Sequence, residues 1–189
     1  MDLHTFEQLV RDYPVVAIIA VALFIWWVIP RKKQGNHECN HRKNIRQARK
    51  LLKEFRKWKG DGVEARITAY LRKISPYVFE ELLLCSFDDM GYRITRNQRY
   101  SGDGGTDGSL RYRGRQYLVQ AKRYASHIRA EDVADFKEVI KQKKADGGYF
   151  CHTGRTGKGS HIHAGDNIIV VSGSALIDLL LGKAVKVQL

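Results

Sequence analysis

A continuous apolar run near the start of the chain constrains the fold more than any other feature. The run YPVVAIIAVALFIWWVI, from Tyr13 to Ile29, contains no charged residue and no Ser, Thr, Asn or Gln. As a helix its seventeen residues would cover about 26 Å, close to the roughly 30 Å of a bilayer core. A buried helix of a soluble domain, which is the alternative, normally carries a polar face. We therefore predict a transmembrane helix over residues 13–30.

The flanks of this run indicate its orientation. Two tryptophans close the run, and Arg31, Lys32 and Lys33 follow, as expected for an aromatic belt and a cytoplasmic basic flank. The acidic start MDLHTFEQLVRD lacks the basic character of a cleaved signal peptide. We predict a single span with a short extracytoplasmic tip, residues 1–12, and a cytoplasmic body.

Charge divides the rest of the chain. The formal charge of +13 is distributed as −2 over residues 1–30, +10 over residues 31–59 and +5 over residues 60–189. The three cysteines are odd in number and scattered, which argues against a disulfide scaffold and fits a reducing compartment. The sequence thus predicts a basic juxtamembrane neck over residues 31–60 and a domain over residues 61–189.

The second half of the neck has the pattern of a basic amphipathic helix. Ile45, Ala48, Leu52 and Phe55 recur at helical spacing, with Leu51 and Trp58 alongside. The basic residues could attract anionic lipid headgroups or nucleic acid phosphates. Alternatively, the neck is solvated and its apolar stripe packs on the body.

A metal site in the neck is a weaker hypothesis. His37, Cys39 and His41 lie close together in the sequence. A structural zinc site requires four ligands, and no second ligand cluster stands at zinc-finger spacing. We therefore do not expect a metal there.

The body reads as alternating helices and strands. Helical patterns extend over Val63–Ile74, from Pro76 to Gly91 behind an N-cap at Ser75, through Val133, Phe136 and Ile140, and over Ser174–Leu181. Extended segments are predicted at Tyr92–Gln98, Ser109–Tyr112, Gln116–Arg123, Gly148–His152, Asn167–Val171 and Val185–Gln188. The fold class is therefore α/β, a mixed sheet with helices on both faces.

The extended segments Ser109–Tyr112 and Gln116–Arg123 flank the residues RGR and are predicted to form a hairpin. The residues that could carry out chemistry lie in and next to this hairpin. A glycine-rich segment, GDGG, leads to Asp107 but lacks the spacing of a phosphate-binding loop. Thirteen residues later, Gln120 and Lys122 share one face of a strand. There Asp107 and the Gln120 oxygen could hold a hard divalent cation, and Lys122 could orient an attacking water. Exposed hairpin charges without a function explain the same residues.

Several blocks of the sequence resemble a known family. PYVFEELLLCSFDDMGYRITRN, GDGGTDG, YLVQAKRY, GGYFCHTG and IIVVSGSALIDLL occur in the order and spacing of Mrr-like restriction endonuclease domains. These domains are a branch of the PD-(D/E)xK nuclease superfamily. The resemblance covers Ile74 to Leu181, leaving out the apolar run and the neck. It implies a restriction-endonuclease-like sheet flanked by helices and hydrolysis of DNA phosphodiesters with Mg²⁺ or Mn²⁺.

The resemblance also implies a catalytic set. Asp107 matches the metal-binding aspartate, Gln120 the position that is Glu or Gln in the family, and Lys122 the invariant lysine. Glu80 matches the acid of the preceding helix, and Glu81 should point about 100° away from it. A neutral Gln120 binds a cation less strongly than Glu would, but Mrr-like members use Gln at this position.

Other polar residues remain secondary candidates. Arg123, Arg155 and Lys158 are candidate DNA-backbone contacts. His152, His161 and His163 could touch phosphate or metal, although local capping and solvated surface explain them better. Asp103 has the alternative role of capping the glycine-rich loop.

Together these features predict a membrane-anchored, metal-dependent DNA endonuclease. Its location would be the bacterial inner membrane, with the nuclease domain in the cytoplasm and anionic lipid near the neck. Double-strand cleavage by a single active site would require a homodimer. The alternative is a noncatalytic, membrane-tethered DNA-binding module, and a third class is a basic adaptor on anionic lipid.

Overall fold

The computed structural model describes residues 35–97, 105–156 and 167–183, together with Val15, Ile19 and Gly165. The chain divides into two compact units, Met1–Asn36 and His37–Leu189, and all of the described strands belong to the second. Within the described residues no helix has both the length and the apolar character needed to cross a membrane. The predicted span lies outside the described residues, apart from Val15 and Ile19.

Five helices and five strands make up the described fold. The helices are α1 (Gly35–Phe55), α2 (Val63–Leu71), α3 (Pro76–Asp89), α4 (Ala130–Gln142) and α5 (Gly173–Leu180). The strands are β1 (Arg93–Arg96), β2 (Gly108–Tyr112), β3 (Arg115–Lys122), β4 (Gly147–His152) and β5 (Ile168–Val171). The strands and α2, α3 and α5 lie within a few residues of their predicted bounds, and α4 contains the three apolar residues predicted for it. The helix α1 begins at Gly35, ten residues before Ile45, where the predicted apolar stripe begins. The strand predicted at 185–188 falls outside the described residues.

The strands form one mixed sheet in the order β1-β2-β3-β4-β5. The pairs β1–β2 and β2–β3 are antiparallel, whereas β3–β4 and β4–β5 are parallel. Arg113 and Gly114 connect β2 to β3 with φ angles of 50° and 82°, the left-handed pair that a two-residue hairpin turn needs. The predicted hairpin and mixed sheet are therefore confirmed.

Helices cover both faces of the sheet. On one face, α1, α2, α3 and α5 pack on the side chains of Tyr117 and Val119. On the other face, α4 packs through Val133, Phe136 and Ile140 on Leu118 of β3 and on its neighbours from β4 and β5. Alternate residues of β3 thus face different cores. Gln120 and Lys122, in step with Leu118, lie on the α4 side.

The helix α1 contributes to the main core. Ala48, Leu52 and Phe55 are at most 2% exposed, and Ile45, Leu51 and Trp58 pack against the same cluster. The alternative in which the apolar stripe packs on the body is therefore confirmed. The core extends to Ala48, on the N-terminal side of the domain boundary expected at residue 61.

The termini of α3 follow the sequence signals. Ser75 is the N-cap and proline begins the helix, although the Ser75 side chain makes no capping hydrogen bond. After the C-cap Met90, Gly91 has a φ of 88°, a left-handed conformation that favours glycine. These termini fix where α3 crosses the sheet and thus where Glu80 lies.

We expect Leu52→Ala to lower the free energy of unfolding by about 2–4 kcal/mol, because it leaves a cavity in the main core. Leu52 is 2% exposed, whereas its neighbour Lys53 is exposed. Lys53→Ala is therefore the matched control and should change stability by less than about 0.5 kcal/mol. Urea unfolding of the full chain measures both. Equal stabilities of the two variants would contradict the packing of α1 on the body.

Candidate active site

The hairpin brings Asp107 next to the end of β3. Asp107 directly precedes β2, whose first residue, Gly108, pairs with Val119. Because the two strands are antiparallel, the start of β2 meets the end of β3. The end of β3 carries Gln120 and Lys122. One tight turn therefore brings Asp107 close to Gln120, although the two are thirteen residues apart in the sequence.

The Asp107 carboxylate is held by the backbone of β3. Its Oδ2 accepts a hydrogen bond of 2.6 Å from the N–H of Ala121, and its own N–H donates to the carbonyl of Val119 at 2.8 Å. The carboxylate thus accepts from the β3 residue between Gln120 and Lys122. Burial raises the pKa of Asp107, while the Ala121 N–H and the Lys122 ammonium oppose that rise.

The Gln120 amide presents an unused oxygen. Its Nε2 donates to the carbonyl of Gly105 at 2.8 Å, and this bond fixes the orientation of the amide. Gln120 is only 8% exposed, and its Oε1 is buried without a hydrogen-bond donor among the described residues. A buried acceptor without a partner costs free energy. A cation or an ordered water at this oxygen would remove that cost.

The adjacent acids Glu80 and Glu81 point to different surroundings, as helix geometry predicts. Burial, with the charges of Asp107 and then Glu81, raises the pKa of Glu80 to about 8. Glu81 is 1% exposed and lies 2.8 Å from Arg96 Nε and 3.2 Å from His41 Nε2. Glu80 therefore belongs to the group around Asp107, whereas Glu81 is an ion-paired residue of the core.

Lys122 supplies the positive charge of the site. It is the last residue of β3 and is partly exposed. Its ammonium lowers the pKa of Asp107 against the effect of burial. Lys122 also contributes to lowering the pKa of Asp132, for which Arg129 is the main cause. Lys122 is therefore close enough to two carboxylates to act on them electrostatically.

Several residues that the sequence analysis did not identify hold the loop before Asp107. Gly105 has a φ of 81°, a conformation that favours glycine, and a Cβ there would lie 3.2 Å from Val139. Asn97 Nδ2 donates to the Thr106 carbonyl, and Lys143 Nζ donates to Thr106 Oγ1 at 2.8 Å. No sequence signal marks Asn97 or Lys143, because these contacts join residues distant in the chain.

The donor set suits a hard cation. Asp107 and Gln120 offer a carboxylate and an orphaned amide oxygen, the ligand types that Mg²⁺ and Mn²⁺ prefer. Burial raises the pKa values of Glu80 and Asp107, and a cation bound beside them would favour the ionised form of both carboxyls. No three His, Cys, Asp or Glu residues of the described chain converge on a possible metal site. The amide of Gln120 is therefore an essential part of this donor set.

The candidate DNA contacts are more dispersed. Arg123 donates through Nη1 to the carbonyls of Arg72 and Ile74, so it stabilises the chain that follows α2. Arg155 is exposed and pairs through its backbone with the segment around His127. Lys158 lies outside the described residues.

The remaining histidine and loop candidates fall into two groups. His152 is fully buried, and its Nε2 lies 3.1 Å from Thr156 Oγ1, which fits the local structural role. Asp103, His161, His163 and the side chains of His37 and Cys39 lie outside the described residues. The metal hypothesis for the neck stays untested, and His41 pairs with Glu81 instead.

Two solved structures share this fold. The structure titled "MspJI Restriction Endonuclease in Complex with 27-mer Oligonucleotide" matches 67% of this chain with a TM-score of 0.51 and 22% identity. The structure titled "DNA modification-dependent restriction endonuclease AspBHI" matches 65% with a TM-score of 0.52 and 17% identity. The matches span 33% and 36% of those chains. The likeness shows a restriction-endonuclease-like fold.

Comparison with curated protein sequences finds no match. A family model gives the assignment instead. The model Mrr_cat, described as "Restriction endonuclease", matches residues 71–180. This range contains Glu80, Asp107, Gln120 and Lys122, and it spans more than half of the chain. The chain therefore belongs to the Mrr_cat family of restriction endonucleases.

Proposed function

We propose that this chain is a divalent-metal-dependent DNA endonuclease of the restriction type. The observation that carries the proposal is the buried Oε1 of Gln120, which has no donor in the part of the chain that the structure describes. It lies in a hairpin that also holds the carboxylate of Asp107. A purely DNA-binding module has no use for a costly orphaned oxygen of this kind. Family membership supports the same conclusion.

In this proposal Asp107 and Gln120 hold Mg²⁺ or Mn²⁺. The bound cation would act as a Lewis acid that offsets the charge developing on the scissile phosphate. The chain prepares for this charge in two ways. The Ala121 N–H fixes the Asp107 carboxylate at 2.6 Å, and the Gly105 carbonyl fixes the Gln120 amide at 2.8 Å. Both ligands are thus oriented before the substrate binds.

Lys122 and Glu80 complete the catalytic set. The Lys122 ammonium, on the same strand face as Gln120, orients the attacking water and stabilises negative charge on the phosphate. Glu80 is in its protonated form at neutral pH, because its pKa is about 8. A cation held by Asp107 and Gln120 would lower the pKa of Glu80. Glu80 would then release its proton to solvent and add a second carboxylate to the site. Glu80 is therefore a residue that tunes the site.

The raised pKa of Glu80 gives a prediction for stability. Between its usual pKa of 4.5 and the folded value of about 8, the folded chain binds more protons than the unfolded chain. The free energy of unfolding without metal should therefore fall as the pH rises through this window. Urea unfolding in EDTA should show that Glu80→Gln weakens this fall. Glu131→Gln, which changes an exposed acid of α4, is the control and should leave the pH dependence unchanged. An identical pH dependence in Glu80→Gln and the original chain would contradict the assigned pKa.

The proposal includes an anchor. The apolar run of residues 13–30 would hold the chain in the bacterial inner membrane, with the nuclease domain in the cytoplasm. Because each chain carries one site, cleavage of both strands would require a homodimer. Carbonate extraction tests the anchor: the full chain should remain in the membrane pellet. Its release into the supernatant would contradict the anchor without affecting the nuclease proposal.

The experiment that tests the activity is nicking of supercoiled plasmid by the full chain with Mg²⁺ or with EDTA. Nicking should require Mg²⁺. Gln120→Leu should abolish nicking, because it removes the orphaned oxygen, and Gln120→Glu should retain nicking at a lower Mg²⁺ concentration. DNA binding without nicking under all metal conditions would instead favour the noncatalytic DNA-binding module.

A further inference from the structure

One face of α1 carries a stripe of exposed cations. Arg42, Lys43, Arg46, Lys50 and Lys53 are all exposed and are hereafter called the basic stripe. At 3.6 residues per turn they occupy an arc of about 100°, centred opposite Ala48, and extend over about 17 Å of helix. Ala48 itself is fully buried. The stripe therefore faces away from the domain.

Near α1, the acids whose side chains the structure describes pair with cations outside the stripe. Arg49 lies 2.6 Å from Asp88 of α3, and Arg56 lies 2.7 Å from Asp89. Both arginines flank the stripe and fix α1 against α3. The single acid between residues 40 and 57, Glu54, lies 3.4 Å from Lys57. With respect to the described acids, the positive charge of the stripe is thus left for a partner in solution.

The stripe and the β3 residues of the candidate active site lie on different sides of the sheet. The apolar face of α1 packs on the core that includes Val119. Gln120 and Lys122 alternate with Val119 and lie on the opposite side, with α4. The basic face of α1 points farther still from the sheet. A DNA duplex bound at Gln120 and Lys122 would approach from the side of α4, whereas the stripe points away from the domain on the side of α1, so the stripe suits a second, separate anionic surface.

We propose that the basic stripe docks the domain on a bilayer surface rich in anionic phospholipid headgroups. The apolar run that ends at Ile29 is separated from Gly35 by five residues. This short tether would give the stripe a high effective concentration at the headgroups. The proposal draws on the proposed anchor but not on the nuclease activity.

The docking is electrostatic, without insertion of the helix. An interfacial helix that inserts needs an exposed apolar face, whereas Leu52 and Phe55 of α1 are at most 2% exposed. Contact between the stripe and headgroups is therefore screened by salt. It distinguishes anionic from zwitterionic lipid.

Lysine labelling of the full chain tests the proposal. The chain is reconstituted into vesicles of phosphatidylcholine alone, or of equal parts phosphatidylcholine and phosphatidylglycerol, and treated with a water-soluble acetylating reagent. Mass spectrometry then measures the labelling rates of Lys50 and Lys53. We expect phosphatidylglycerol to slow these rates by about tenfold at low salt, and high salt to restore them. Lys137 and Lys141, which are exposed on α4, should label equally in both vesicles.

Two triple variants isolate the cause. Arg42→Gln/Lys43→Gln/Arg46→Gln removes three stripe cations, retains good helix formers and leaves Lys50 and Lys53 as reporters. Their labelling in phosphatidylglycerol should return to within about twofold of the phosphatidylcholine rate. The control, Lys137→Gln/Lys141→Gln/Lys144→Gln, removes the same charge from the α4 side and should keep the protection of Lys50 and Lys53. Circular dichroism confirms that both variants are folded.

Three outcomes would overturn the docking proposal. Equal labelling of Lys50 and Lys53 in the two vesicles would do so, as would protection that survives the stripe variant. Protection by duplex DNA, without protection by phosphatidylglycerol, would assign the stripe to nucleic acid instead. Failure of the anchor is read separately, from loss of the chain from phosphatidylcholine vesicles on carbonate extraction.

Discussion

Asp107→Asn should lower the rate of Mg²⁺-dependent plasmid nicking by ~1,000-fold while leaving the domain folded. The substitution removes the carboxylate charge that would hold the cation. An asparagine oxygen can still accept the hydrogen bond that Ala121 donates at 2.6 Å, so the hairpin is retained. Since the charge of Asp107 helps to raise the pKa of Glu80, that pKa should also fall in the variant. Nicking assays and circular dichroism on the full chain measure activity and fold.

The chain offers a matched control for this substitution at the other end of β3. Asp146 Oδ2 accepts a hydrogen bond of 2.7 Å from the N–H of Gln116, as Asp107 does from Ala121. Asp146→Asn therefore removes the same charge and changes the same kind of backbone contact away from the site. It should nick DNA at the original rate. Equal activity losses in both variants would mean that the effect of Asp107→Asn comes from the hairpin and not from a metal ligand.

The elements around the site could be predicted because their signals are local. The Arg113–Gly114 pair suits a two-residue hairpin turn, and its φ angles of 50° and 82° are those of such a turn. Once that turn is placed, the antiparallel register brings Asp107 to the end of β3. The helix that carries Glu80 was likewise bounded by Pro76 and Gly91, whose backbone preferences act over one or two residues.

The partners of the site residues could not be predicted, because they join distant segments. Lys143 reaches Thr106 across 37 residues, and Arg96 reaches Glu81 across 15. Neither lysine nor arginine carries a pattern that names its partner. The guanidinium of Arg123, a candidate DNA contact, shows the same limit, because no sequence signal indicates that it donates to the carbonyls of Arg72 and Ile74.

Charge patterning gave only part of the role of α1. The excess of basic residues in the neck was evident, but the sequence left open whether the apolar stripe would pack. Packing was decided by the tertiary core, in which Leu52 and Phe55 are at most 2% exposed. One consequence is practical. Because truncation at residue 60 would remove these core residues, activity measurements require the full chain.

Lys122→Met should reduce nicking by roughly 100- to 1,000-fold. Methionine keeps most of the apolar stem of lysine but removes the ammonium that would orient the water and stabilise the phosphate. That ammonium also lowers the pKa of Asp107, so this pKa should rise further in the variant. Nicking assays at saturating Mg²⁺, with circular dichroism to confirm folding, measure the maximal rate of the variant.

A double variant shows whether Asp107 and Lys122 act in the same reaction or whether their substitutions cause two independent losses of activity. If Asp107 and Lys122 serve one reaction, Asp107→Asn/Lys122→Met should be little slower than the slower single variant. Lys141→Met removes the same charge from an exposed position on α4 and should retain full activity. Multiplicative losses in the double variant would place the two residues in separate steps. If folded Lys122→Met nicks DNA at the rate of the unsubstituted chain, the ammonium is not needed at the phosphate. Lys122 would then not belong to the catalytic set.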